Sequence, residues 1–190
     1  KNKYVRFRSA DNLIKEELEL KAKYPEIQHY AFEDDILYLN KEWYQEFSEK
    51  HRKFVGLPFH SNIHPALIND DSLHYLKIAG CTKIQIGLES GNEYIRKNIL
   101  NRSMSNEKFI QSVNQAKKMG FEIFTFNLIG IPDERPSDIL DTIKLNAMID
   151  QDSTQVSILY PFPKTEIYNY AKSRNYISER KLVDSIIDDT

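Results

Sequence analysis

The side chains in this chain best equipped for chemistry are carboxylates, amides and one arginine, each placed just after a short apolar run. Glu33-Asp34-Asp35 follows the run Ile27 to Phe32, and Ser61-Asn62 follows Phe54 to His60. Glu89-Ser90 follows Lys83 to Leu88, and Asn127 lies inside Ile123 to Ile129. A carboxylate such as Glu89 can accept two hydroxyl protons from a ribose diol. It can equally stand at the start of a helix beginning near Asn92, where the dipole favours an anion. Spacing alone leaves both roles open. Arg102 carries a planar fork that pairs with both oxygens of a carboxylate ligand, although a solvated surface arginine looks the same in sequence. Asp34 and Asp35 invite a metal or acid–base role, but successive residues at a strand end point opposite ways, so at most one faces a site.

Other candidates are weaker. The histidines are scattered at 29, 51, 60, 64 and 74. His60 and His64 flank Asn62 and could supply a zinc pair, but no third ligand has suitable spacing, so no metal site is assigned. The single cysteine, Cys81, reads as a small buried apolar residue rather than a nucleophile. Gly130-Ile131-Pro132-Asp133-Glu134 ends the most apolar run, where glycine permits close approach of backbone to a ligand. Tyr160-Pro161-Phe162-Pro163 could stack on a base or simply close one end of the fold.

The elements that must position these residues alternate between strand and helix. Ser9 caps a helix with Leu13, Ile14, Leu18 and Ala22 that stops near Pro25, and Ile27 to Phe32 is a strand. A helix over Glu42 to Lys50 puts Trp43 and Phe47 on one face. Phe54 to His60 is a strand interrupted by Pro58. Asp70 or Asp71 caps a helix closed by Gly80, before the strand Lys83 to Leu88. Ser105 caps a helix with the stripe Phe109, Ile110, Val113 and Ala116, ended by Gly120. Strand Ile123 to Ile129, a helix from Ser137 to Ile149, strand Thr154 to Leu159 and a helix capped by Thr165 complete the series. A polar helix is expected after Ser178. Five strands each followed by a helix imply a parallel sheet, either doubly wound or part of a barrel. Polar residues gather at the C-terminal strand ends, the edge where parallel α/β folds bind ligands.

Bulk properties narrow the function. The chain has 190 residues, a size suited to a single domain over 1–190. Lys+Arg 26 against Asp+Glu 28 leaves a net charge of −2, which argues against a dedicated nucleic-acid surface. The longest apolar stretches are far shorter than the roughly 20 residues of a membrane helix. One cysteine and no signal-peptide pattern suit a reducing, cytoplasmic setting.

Taken in order, these strand ends resemble the radical S-adenosylmethionine superfamily, and most nearly its cobalamin-associated type. The likeness is carried by Phe32-Glu33-Asp34-Asp35, by Gly80 to Gly91, by Ile99-Leu100-Asn101-Arg102, by Asn127 to Glu134, and by Tyr160 to Thr165. The resemblance implies an α/β fold, a partial (β/α) barrel of about five parallel strands with the first strand and the cluster loop missing. It implies an enzyme that binds S-adenosylmethionine and a 4Fe–4S cluster and generates a 5′-deoxyadenosyl radical, acting on a small molecule or another unknown substrate. Cobalamin is an expected companion in the parent. By the same resemblance, Glu33, Asp34 and Asp35 receive the methionyl amino group through backbone carbonyls. Glu89, with Ser90 beside it, takes the ribose, and Arg102 the methionyl carboxylate. Ile129, Gly130, Leu159 and Tyr160 frame the adenine, and Ser61 or Asn62 adds a contact.

Two departures touch the turns: Asp133 and Lys164 stand where relatives have glycine, so those turns are expected to be remodelled. A larger departure is the missing Cys-x₃-Cys-x₂-Cys loop, without which the fragment alone is expected to be inactive. Truncation just after that loop would explain both this and the segment Lys3 to Ser9. It would also leave Ile27 to Phe32 as an open edge, covered by a dimer or by the Lys3 to Phe7 segment. Two other functions fit less of the sequence. One is a cluster-free barrel acting as a binding or assembly module. The other is an unrelated α/β-barrel metabolic enzyme, against which stands the lack of a glycine-rich phosphate loop after the late strands.

Overall fold

The computed structural model describes residues 8–34, 37–38 and 40–177. Asp35, the Lys3 to Phe7 segment and the helix expected after Ser178 lie outside the described residues.

Ser9 accepts the amide of Asn12 at 3.2 Å and starts α1 (Ala10–Lys23). Of the expected stripe only Ile14 is fully buried, and Leu18 is exposed. β1 (Tyr30–Phe32) is shorter than expected because Ile27 is held in a turn by its amide bond to the Tyr24 carbonyl at 3.1 Å. α2 (Lys41–Lys50) is capped by Asn40, and Trp43 stacks on Phe47 with ring centroids 5.4 Å apart, as their spacing implies. The helix then continues through a wider turn over His51–Val55, which ends where Gly56 adopts φ +67° and donates to the His51 carbonyl. Phe54 and Val55 are therefore helical rather than part of a strand. β2 (Phe59–Asn62) begins only after Pro58.

Asn69, not Asp70 or Asp71, caps α3 (Asp70–Ala79), in a reciprocal pair with Ser72. Gly80 closes α3 at φ +96°. The remaining elements are β3 (Cys81–Glu89), α4 (Glu93–Asn98), α5 (Asn106–Lys118), β4 (Glu122–Ile129), α6 (Pro136–Ile149), β5 (Ser153–Ile158) and α7 (Glu166–Ser173). Ser105 and Thr165 cap α5 and α7 as expected.

All described strand pairs are parallel, in the order β1-β2-β3-β4-β5. A doubly wound sheet reverses direction at a switch point, whereas sequential order winds one way, so the sheet is a curled partial barrel. One face is covered by helices. There Ile84, Ile86, Leu88, Phe59 and Ile123 are fully buried with Leu73, Leu76 and Phe109 from the helix layer. The other face is concave and carries the alternate residues.

Candidate functional site

Along β3 the two-residue period sends Ile84, Ile86 and Leu88 into the core and leaves Gln85, Gly87 and Glu89 on the concave face. The register sets Gln85 beside Asn62 of β2 and Gly87 beside Phe126 of β4. At its end β3 slips by one residue, between Gly87 and Glu89, and Glu89 takes φ +65°. Such a bulge re-aims a side chain, and a non-glycine residue held there stores strain. Glu89 Oε1 lies 3.3 Å from the Arg102 guanidinium. A Cβ at Gly87 would stand 2.5 Å from that Oε1 and 3.1 Å from the guanidinium, so the missing side chain is what lets the pair lie across the strand.

This pair forms a wall shared by two cavities. One, of about 430 Å³, is lined by Asn62, Ile63, His64, Gln85 and Phe126. The other, of about 320 Å³, is lined by Leu100, Leu128, Thr165 and Ile167. Burial pushes the Glu89 carboxyl above the ordinary range, and the Arg102 charge opposes that rise. His64 Nδ1 accepts the Ala66 amide at 3.2 Å, while burial, and then the charge of Arg102, lower the pKa of its ring.

Arg96, only 2% exposed, braces the loops that carry Glu89 and Arg102. It donates to the Ser90 carbonyl at 2.5 Å, to the Met104 carbonyl at 2.8 Å and to Asn106 at 2.5 Å, and its own carbonyl accepts the Arg102 amide at 2.8 Å. Gly91 lets this turn press onto α6, since a Cβ there would collide with the backbone of Asp141 and Thr142.

The other residues singled out in the sequence divide. Glu33 and Asp34 are exposed after β1, and the Asp34 carbonyl accepts Asn62 Nδ2 at 3.0 Å. Of the Ser61/Asn62 alternatives, Asn62 faces the cavity, while Ser61 is buried among the helices beside Cys81. Ser90 is fully buried, and its Oγ accepts the Asn92 amide at 3.2 Å, so it shapes the turn. Asn92, not Glu89, caps α4. Asn127 points away from the concave face into a buried network with Thr125, Asn146 and Thr154.

The Gly130 amide, expected beside adenine, donates to Glu134 Oε2 at 2.7 Å, as does the Ile131 amide at 3.3 Å. Burial raises the Glu134 pKa, and those two amides oppose the rise. The Ile129 carbonyl accepts the Leu159 amide at 2.9 Å, joining the two strand ends, and Tyr160 is half exposed against Phe162.

The turns expected to be remodelled keep their left-handed backbone, Asp133 at φ +63° and Lys164 at φ +73°. Asp133 is held there by the hydroxyls of Tyr170 at 2.5 Å and Tyr176 at 2.9 Å. His60 bonds His29 at 2.7 Å instead of pairing with His64, and no group of three metal-ligating side chains exists among the described residues. Cys81 is buried, and its burial pushes the thiol up to about 12. No described helix is long and apolar enough to cross a membrane. Gln85, Gly87, His64 and Phe126 complete the cavity lining. In the sequence, Gln85 and Gly87 lie within the Gly80 to Gly91 segment without a role of their own, His64 reads only as a metal-ligand candidate, and Phe126 carries no signal.

Known proteins are similar to this chain in sequence or in fold. An uncharacterised methyltransferase of Pyrococcus horikoshii is 27% identical over 152 residues, 80% of this chain and 33% of the relative. Coproporphyrinogen III oxidase (HemN) from Escherichia coli, described as a radical SAM enzyme, superposes with a TM-score of 0.64 at 20% identity, over 81% of this chain and 38% of HemN. The radical S-adenosylmethionine methyltransferase TsrM from Kitasatospora setae, solved with cobalamin and a 4Fe–4S cluster, superposes with a TM-score of 0.70 at 19% identity, over 84% of this chain and 33% of TsrM. The chain thus spans about a third of the length of these relatives. The Radical SAM superfamily model matches residues 1–145, and with the five parallel strands and the Glu89–Arg102 strand end already in place, the chain belongs to that superfamily.

Proposed function

We propose that this chain supplies most of the adenosylmethionine pocket of a radical enzyme of methyltransferase-like type. The observation that carries the reading is the Glu89–Arg102 pair, drawn across side-chain-free Gly87 between two cavities. Glu89 accepts the ribose hydroxyls, and Arg102 turns part of its fork to the methionyl carboxylate. Asn62 Oδ1, buried without a partner, accepts from the methionyl ammonium. Leu128 and Ile167 give the second cavity an apolar lining suited to the nucleoside.

The residues present do not fit the cluster that completes this chemistry elsewhere in the superfamily. One buried cysteine with a raised pKa cannot replace three thiolates. Such a cluster, if held elsewhere, would supply one-electron chemistry beside adenosylmethionine. The ligands for that cluster, and any cobalamin, belong to other parts of a longer protein. The same cysteine count supports a second reading, a cluster-free barrel that only binds.

Calorimetric titration with S-adenosylhomocysteine tests the pocket. Arg102 is nearly half exposed, so Arg102→Ala is expected to weaken binding by about 1–2 kcal/mol, the lower part of the range for a charge-assisted contact. Unchanged affinity in both Glu89→Ala and Arg102→Ala would sink the assignment.

A further inference from the structure

The larger cavity extends beyond the residues given to the cofactor, and its floor holds an unexplained polar group. Gln85 Oε1 is buried and has no hydrogen-bond partner. A buried acceptor left unpaired is unfavourable, so an occupant that donates to it gains a hydrogen bond there. Around Gln85 the lining combines apolar Phe126, Ile63 and Pro65 with Asn62, its register neighbour, and Gly87 leaves the strand open above it.

His64 lines the same cavity with a defined tautomer. Its Nδ1 accepts the Ala66 amide, so in the neutral ring Nε2 carries the hydrogen and is a donor. The carboxylate at this cavity, Glu89, is already paired with Arg102. A cationic group other than the methionyl ammonium, which the proposed pocket sets at Asn62, would therefore find no free counter-charge. An acceptor on the floor, a donor on the wall and apolar sides between them match a neutral planar group that presents both an N–H and a carbonyl.

We propose that Gln85, His64 and Phe126 form a substrate subsite for a carboxamide-type group on an apolar, planar body. Gln85 Oε1 accepts the amide N–H, His64 Nε2–H donates to the carbonyl, and Phe126 covers the flat body. The proposal rests on the cofactor reading for its placement, since it takes the part of the cavity that the cofactor leaves.

The test uses two near-isosteric probes, benzamide and acetophenone, which share a ring and a carbonyl but differ in the N–H donor. Both are titrated into the chain by ligand-observed NMR, beside S-adenosylhomocysteine by calorimetry. Benzamide is expected to bind roughly fivefold tighter than acetophenone, the scale of one neutral hydrogen bond. In Gln85→Met that ratio falls to about one, while affinity for S-adenosylhomocysteine changes by less than about twofold. In His64→Phe both probes weaken together, because the carbonyl is common to them. A ratio near one in the unaltered chain, a ratio that survives Gln85→Met, or no binding of either probe overturns the subsite. If Glu89→Ala and Arg102→Ala both retain full affinity for S-adenosylhomocysteine, the cofactor reading fails, however the probes divide.

Discussion

Gly87→Ala separates a binding cradle from ordinary packing. The added Cβ would lie 2.5 Å from Glu89 Oε1 and 3.1 Å from the Arg102 guanidinium, so the carboxylate must retreat by about 1 Å to reach ordinary contact. Gly87 has no left-handed backbone to strain, and both obstructing groups are ends of flexible side chains. The cost to folding is therefore small, about 1 kcal/mol or less, at the lower end for overpacking. Ligand binding is different, because the displaced carboxylate no longer meets the ribose diol. Loss of a charge-assisted contact is worth about 1.5–3 kcal/mol, which is roughly a 10- to 150-fold drop in affinity for S-adenosylhomocysteine. Gly91→Ala is the control, since its Cβ meets the unyielding backbone of Asp141 and Thr142 and must lower the melting temperature more. Calorimetry and thermal melts on both variants decide. If Gly87→Ala keeps its affinity, or loses it only as fast as it unfolds, Gly87 is a packing residue and the cradle argument is wrong.

Five further outcomes can be measured. Glu89 must be ionised to accept two hydroxyls, and its pKa is raised, so affinity for S-adenosylhomocysteine is expected to fall with decreasing pH about a midpoint above 4.5, and Glu89→Gln should abolish that dependence. The folding term has the opposite sign, since a raised carboxyl pKa favours the folded state at low pH and the benefit disappears as pH rises through the folded value; a melting series across that range checks it. Arg96→Ala strips donors from Ser90, Met104 and Asn106 and should destabilise by about 2–4 kcal/mol in urea titration, with faster amide exchange around Arg102. Anaerobic iron–sulfide reconstitution of this chain should leave it colourless, and stoichiometric iron would contradict the ligand count. At the β1 edge we propose a cover, by a second copy or by the 3–7 segment: the Ala31 amide, which alternates to the side away from β2, should exchange slowly, and fast exchange in a monomer by light scattering would show an open edge.

Much of this fold was legible because local signals agreed. Ser9 and Ser105 each precede an apolar stripe, Thr165 opens a short helix, and each caps its helix. The β3 run Cys81–Glu89 alternates so regularly that both its faces follow from the sequence, and Glu89 and Arg102 proved to be partners. The failures have physical causes. Phe54 and Val55 have strand-forming side chains, yet a widened helical turn claims them because Gly56 can close it in the left-handed region. Asn127 was counted with the site because it is polar and near a strand end. Its parity on β4 matches Ile123 and Thr125, which face the helices, and that parity was readable. The same argument from parity would have found Gln85, two residues before Gly87 and four before Glu89 on the inner face. The pairing of Gly130 with Glu134 lies beyond such rules, since it depends on how the loop folds back.

Backbone strain adds an independent line to the placement of the site. Among the described residues, non-glycine positive φ angles occur at Glu89, Asn101, Asp133, Asp150, Lys164 and Asn175. Asp150 and Asn175 follow the ends of α6 and α7, a common place for such a conformation. The other four lie elsewhere: Glu89 ends β3, Asn101 precedes Arg102, Asp133 follows β4, and Lys164 follows β5. Three of them, Glu89, Asp133 and Lys164, therefore sit at or just beyond C-terminal strand ends, and Asn101 lies in the connection after α4 that carries Arg102, each costing of the order of 1–3 kcal/mol. A fold keeps such a cost only where neighbouring contacts enforce it. Those contacts are visible for Asp133, tied by Tyr170 and Tyr176, and for the Glu89 loop, braced by Arg96. Asp133 and Lys164 occupy positions where glycine would be free of strain. Retention of the left-handed turn despite a side chain means that the loop shape itself is the constrained feature. Two of these four positions, Glu89 and Asn101, line the cavities beside Arg102, so part of the strain gathers where the ion pair and the cavities lie.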